Sequence, residues 1–105
     1  MLFRSFDEAF EDLQRQLGTT PLVRADVCRH PTIDWLWAQP DAFLGDDAVV
    51  IIRCPFGIRN DESPTFAPIS SLPHYMARAQ MMMNVTERSV CLFYQWTIQI
   101  GRAHV

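Results

Sequence analysis

Lysine is absent from this 105-residue chain, so all nine basic side chains are arginines. Against twelve acids they leave a formal charge of −3, which argues against a surface that is basic throughout. A few arginines gathered in one groove remain compatible with that balance. Cysteine is sparse and odd in number. Cys28, Cys54 and Cys91 show no CxxC spacing, which argues against a disulfide framework and fits a reducing cytoplasm better. Cys28-x-His30 is at most half of a zinc site, because structural zinc takes four ligands. No apolar run approaches the roughly 20 residues of a membrane span, and no secretory signal stands out. What is present is 49 % hydrophobic residues, enough for one domain with a modest core.

The two ends read as foreign to the rest. Residues 1–5 (MLFRS) are what GTG-CTC-TTC-CGA-TCT encodes, and 100–105 (IGRAHV) are what ATC-GGA-AGA-GCA-CAC-GTC encodes. Both are common sequencing-library adapter strings in frame, and a stop codon follows the second. The expectation is a domain at 6–99 flanked by non-native tails, which fold reasoning sets aside. Removing Arg4 and Arg102 takes the formal charge from −3 to −5.

Within 6–99 the central stretch is 39–56, QPDAFLGDDAVVIIRCPF. Turn residues between two short apolar runs, with β-branched residues in the second, predict a β-hairpin. If Gly45, Asp46 and Asp47 form its loop, Leu44 faces Ala48 and Asp41 comes opposite Ile51. Opposed side chains lie roughly 5 Å apart on one face of a sheet. Alternation along the strand puts Ile51 and Arg53 on that same face.

Around the hairpin, residues 6–17 place Phe6, Phe10, Leu13 and Leu17 on one helical face, and Gly18 stops the helix. Asp7, Glu8, Glu11 and Asp12 fill other positions, where acids near a helix start favour its dipole. Residues 21–27 (PLVRADV) alternate as a strand, and 28–32 read as a loop. Trp35 and Trp37 have the ring area to stack on nucleic-acid bases, but packing in a small core is the expected role. Residues 57–72 form a polar, Pro-containing connection that carries Arg59. Residues 73–86 (PHYMARAQMMMNVT) are a second helix with Pro at its start and methionines that fill gaps in a core. Met76, Gln80 and Met83 share one of its faces. Residues 89–97 (SVCLFYQWT) are a last strand, rich in the residues strands prefer.

These blocks resemble, in order, the lambda-exonuclease or YqaJ-like viral recombinase branch of the PD-(D/E)xK nucleases. That family's pattern runs approximately Ser-Pro-Asp-Gly, an acidic turn, an apolar strand with Glu-x-Lys, then Cys-Pro. Pro40-Asp41, Asp46-Asp47 and Cys54-Pro55 match it. So do His30-Pro31 and Trp35-Leu36 in the lead-in, Tyr75, Gln80, Met83, Val85 and Thr86 in the second helix, and Phe93-Tyr94-Gln95-Trp96 in the last strand. The family's Glu falls on Ile51, its Lys on Arg53, and one helix glutamine on Arg78. Ile has no metal-binding atom in its side chain, and Arg does not give up a proton at working pH.

The resemblance implies an α+β fold with a mixed sheet, a restriction-endonuclease-like PD-(D/E)xK core in incomplete form. It implies Mg²⁺- or Mn²⁺-dependent hydrolysis of double-stranded DNA, impaired because Ile51 and Arg53 replace the Glu-x-Lys pair. The alternative is a non-catalytic DNA- or partner-binding module on the same scaffold. By carry-over, Asp41 and the backbone carbonyl at Ile52 would hold the ion weakly, if at all. Arg53 would stabilise charge, and Gln80 would orient water or phosphate. The family also has a carboxylate on its first helix, for which Asp7 or Glu8 is the candidate here. The setting implied is the cytoplasm of a phage-infected or prophage-bearing bacterial cell, with a phage single-strand annealing protein as a possible partner, an oligomer as a possible state, and no membrane.

Overall fold

Phe6, Phe10, Leu13 and Leu17 all pack on the core from helix α1 (Leu2–Leu17), as their spacing requires. The computed structural model describes residues 2–54, 66–97 and 102–104, with side chains described for 6–54 and 66–96. Gly18 ends α1 at φ 66°, a left-handed conformation that glycine adopts without steric cost, and its N–H bonds back to Gln14 O at 3.2 Å. The Gln14 side chain then fixes the exit. Its Nε2 donates to Thr20 O at 3.1 Å, and its Oε1 accepts from the Leu22 N–H at 2.9 Å.

Strand β1 (Leu22–Arg24) is shorter than the alternating stretch it comes from, because Ala25, Asp26 and Val27 leave the sheet. The expected loop contributes β2 (Cys28–Arg29), which pairs with β3 (Trp37–Ala38) in a separate two-stranded ribbon. The hairpin forms in the expected register. In β4 (Ala42–Leu44) and β5 (Ala48–Arg53), Leu44 faces Ala48 and Ala42 faces Val50 across the Gly45-Asp46-Asp47 turn. Gly45 takes φ 58° there. A 3-10 turn (Ile69–Ser71) leads into α2 (Pro73–Thr86), whose last turn closes on Glu87 in the left-handed region. Then β6 (Val90–Thr97) runs parallel to β5 and pairs with β7 (Arg102–His104).

The main sheet has the order β1-β4-β5-β6-β7, with only β5 and β6 parallel. Parallel neighbours need a crossover, and the segment containing α2 supplies it. Helix α1 covers one face of the sheet, where Ala9 and Leu13 meet Val50, Ile52, Tyr94 and Trp96. Helix α2 covers the other, where Ala79, Met82 and Val85 meet Val49, Ile51 and Phe93. With both faces covered, β5 reads as a continuous apolar run rather than an alternating one. The result is the expected α+β mixed sheet.

Several expectations shift in detail. Trp35 and Trp37 do not pack in the core. They are 79 % and 50 % exposed, because the β2–β3 unit packs toward α2 through Cys28, Leu36 and Ala38 instead. Of the three consecutive methionines, Met82 is buried and Met81 is 40 % exposed, since neighbouring helix positions point about 100° apart. Arg59, Pro55 and the 60–64 tip lie outside the described residues.

Candidate active site

Asp41 lies between strand β4 and Pro40, which is buried and has no N–H to continue the ladder. The last backbone bond of the hairpin runs from the Asp41 N–H to Val50 O, at 3.0 Å. The next N–H of β5 on that side belongs to Ile52, and the Asp41 side chain closes on it with Oδ2 at 2.6 Å. Its other oxygen, Oδ1, faces Nη2 of Arg78 on α2 at 3.6 Å. The carboxylate therefore sits between a backbone donor and a guanidinium. Burial nevertheless pushes the Asp41 carboxyl above its ordinary value, against the lowering effects of the Ile52 N–H and Arg78.

Ile51 lies on this same face, fully buried against Ala79, Met82 and Phe93. One step further along β5, Arg53 donates through Nη1 to Oε1 of Gln95 at 2.5 Å. Parallel pairing of β5 with β6 sets Arg53 beside Gln95 and Ile51 beside Phe93. Gln95 is 1 % exposed and also donates to Ala67 O at 2.7 Å, so its amide has a partner at each end. The Arg53 guanidinium lies over the ring of Tyr75, 5.7 Å from its centroid, and Tyr75 packs on Phe93 at 5.3 Å. This face of the sheet thus carries one carboxylate, two guanidinium groups, a buried amide and an aromatic ring.

Asp41 and Arg53 are brought to one face, as the sequence leads one to expect. Ile52 meets Asp41 through its N–H. Gln80 is exposed, and the α2 side chain beside Asp41 is that of Arg78, two positions earlier. Asp7 pairs with Arg24, whose guanidinium also stacks on Phe6 and Phe10, on the α1 side of the sheet rather than beside Asp41. Gln95 and Arg78 are the residues that pattern reading undervalued. Counting the parallel register from Arg53 identifies Gln95, but only once β6 is known to run parallel to β5.

A Mg²⁺ ion needs several oxygen ligands in near-octahedral array. Both Asp41 oxygens already face N–H donors, and the opposing position is a buried isoleucine. Among the described residues no three His, Cys, Asp or Glu side chains are grouped to hold a metal ion. These residues do not fit the ion. Cys54, at the end of the strand, is pushed up to about 11 by burial and then by the nearby Asp41 charge, so it is no ready nucleophile.

No family model matches the chain, and no curated protein matches it. Solved structures do. The crystal structure of the alkaline exonuclease LHK-Exo from Laribacter hongkongensis superposes with a TM-score of 0.76 at 21 % identity, over 97 % of this chain and 53 % of that one. The same exonuclease in complex with dAMP gives 0.74 at 24 % identity, over 92 % and 48 %. The chain therefore has the exonuclease fold expected from the Pro-Asp hairpin, and it spans about half the length of the solved chains it matches.

Proposed function

We propose that this chain, which has an alkaline-exonuclease fold over about half of that enzyme's length, is a nuclease-type domain for double-stranded DNA with an impaired hydrolytic site. One observation carries this reading. The hairpin pairs Leu44 with Ala48 and Ala42 with Val50, and where the resembled pattern would put a second carboxylate on β5 the residue is the buried Ile51. Removing one electrostatic element from such a site commonly costs about 10²–10³ in rate. Mg²⁺ or Mn²⁺ would bind weakly, if at all. In what remains, Arg53 is held by Gln95 and Tyr75 to face developing negative charge but has no proton to give or take. Gln80 would reach water or phosphate only from the exposed side of α2. An exonucleolytic, phage-type recombination role alongside a single-strand annealing protein belongs to the same proposal.

A second reading is a non-catalytic DNA-binding module. The Arg78–Asp41 pair favours it, because a guanidinium occupies the carboxylate that a metal would use. The two readings separate in a cleavage assay on linear duplex DNA with Mg²⁺. The parent is expected to cut slowly or not at all. Robust cleavage that disappears in Asp41→Asn would overturn the claim of impairment.

A further inference from the structure

Asp41, Arg78 and Arg53 together carry a net charge of +1 on the face of the sheet that α2 covers. Each guanidinium has five N–H donors in a planar fork. Arg78 is placed by its ion pair with Asp41, and its side chain remains 33 % exposed. Arg53 spends Nη1 on Gln95 and rests its plane near Tyr75. Both groups are held in place with donors to spare, an arrangement that suits an oxyanion better than a cation. Tyr75 and Arg78 are three positions apart on α2, so they share one face of that helix. Arg53 against Tyr75 and Asp41 against Arg78 therefore open on the same side. Ile51, two residues before Arg53 on the same face of β5, is fully buried against α2.

We propose that Arg78 stands in for the divalent cation and that the pocket is a metal-independent anion site, taking a phosphate group on the guanidinium groups of Arg78 and Arg53. In this arrangement Asp41 positions Arg78 and the backbone of β5 rather than a metal. That the phosphate comes from DNA rests on the function proposed above, whereas the anion site itself does not.

The test has two arms. In the first, the chain is titrated with inorganic phosphate by ³¹P NMR and with Mn²⁺ by electron paramagnetic resonance. The parent should take phosphate and leave Mn²⁺ free. Arg78→Gln should weaken phosphate binding about tenfold, and Arg78→Lys should restore it only in part, because an ammonium keeps the charge and loses the planar fork. Cooperative melting of each variant is checked first, and Arg53→Gln, with the same expected loss, replaces Arg78→Gln if that variant does not fold. In the second arm, anisotropy of a labelled 5′-phosphorylated duplex is read in EDTA and in Mg²⁺. The parent should bind equally in both, and Arg78→Gln should lower the salt slope by about one. Mn²⁺ binding by the parent that Asp41→Asn abolishes would overturn the inference, as would phosphate binding indifferent to loss of these arginines in folded protein. Phosphate binding that depends on Arg78 without duplex binding would keep the inference and sink the DNA reading. Duplex binding by a protein whose phosphate and duplex affinities are both indifferent to Arg78 would do the reverse.

Discussion

Burial raises the pKa of Asp41 although an N–H and a guanidinium both favour its charge. A group whose folded pKa is raised contributes most to stability while it is protonated, below the ordinary value of 3.8. It loses that contribution as pH climbs through the raised value. The ionised carboxylate at neutral pH is therefore a net cost to the fold. Asp41→Asn keeps an oxygen for the Ile52 N–H and removes the charge, whereas alanine would leave that N–H without a partner. Asp41→Asn should melt at or above the parent's temperature at pH 7. The difference should shrink as pH falls toward 3.8, and a variant that melts lower at neutral pH would contradict this account. Cys54 offers a second check at the same scale. With its pKa moved from 9.0 to about 11, its thiolate fraction at pH 8 drops about a hundredfold. Alkylation followed by peptide mass spectrometry should find Cys54 correspondingly slower than a free cysteine.

At the scale of elements, helices and hairpin were legible because their signals are local. The spacing of Phe6, Phe10, Leu13 and Leu17 specifies α1, and the Gly45-Asp46-Asp47 turn specifies the pairing that brings Asp41 toward Ile51. What the sequence did not disclose depends on contacts between distant segments. Whether Gln80 or Arg78 turns toward the sheet depends on how α2 is rolled, and that is decided by Ala79, Met82 and Val85 meeting Ile51 and Phe93. The exposure of Trp35 has a similar origin. The loop that carries it is tied by the Thr32 and Ile33 N–H groups to His30 Nδ1, both at 3.1 Å, and His30 Nε2 lies 3.0 Å from Asn84 Oδ1 on α2. These bonds hold Trp35 outward against its hydrophobicity. Trp35→Ala should therefore change stability by less than about 0.5 kcal/mol. Leu13→Ala, under α1, should cost about 2–5 kcal/mol. Urea melts of the two variants compare them directly, and a large loss from Trp35→Ala would mean that its ring is packed after all.

For the whole molecule, the order of blocks along the chain mattered more than any single motif. Pro-Asp hairpin, crossover helix and Phe-Tyr-Gln-Trp strand become β4–β5, α2 and β6, and together they form the sheet that resembles LHK-Exo. The same sheet places β1 at one edge and β7 at the other. With a formal charge of −3, the DNA attraction that the proposed function requires has to be local rather than spread over the surface, and Arg53 and Arg78 are its candidates on the α2-covered face of the sheet. On the function proposed above, an apolar residue and two arginines occupy the places in this exonuclease-like fold where a metal site would be built.

The most direct measurement compares hydrolysis of linear, 5′-phosphorylated duplex DNA in Mg²⁺ by three proteins, each first shown to melt cooperatively. These are the parent, the Ile51→Glu/Arg53→Lys variant, and that variant with Arg78→Gln added. The expected result is negligible cutting by the parent and the fastest cutting by the triple variant, since a second carboxylate then faces Asp41 with no guanidinium between them. Robust Mg²⁺-dependent cutting by the parent, abolished in Asp41→Asn, would contradict the account at its centre.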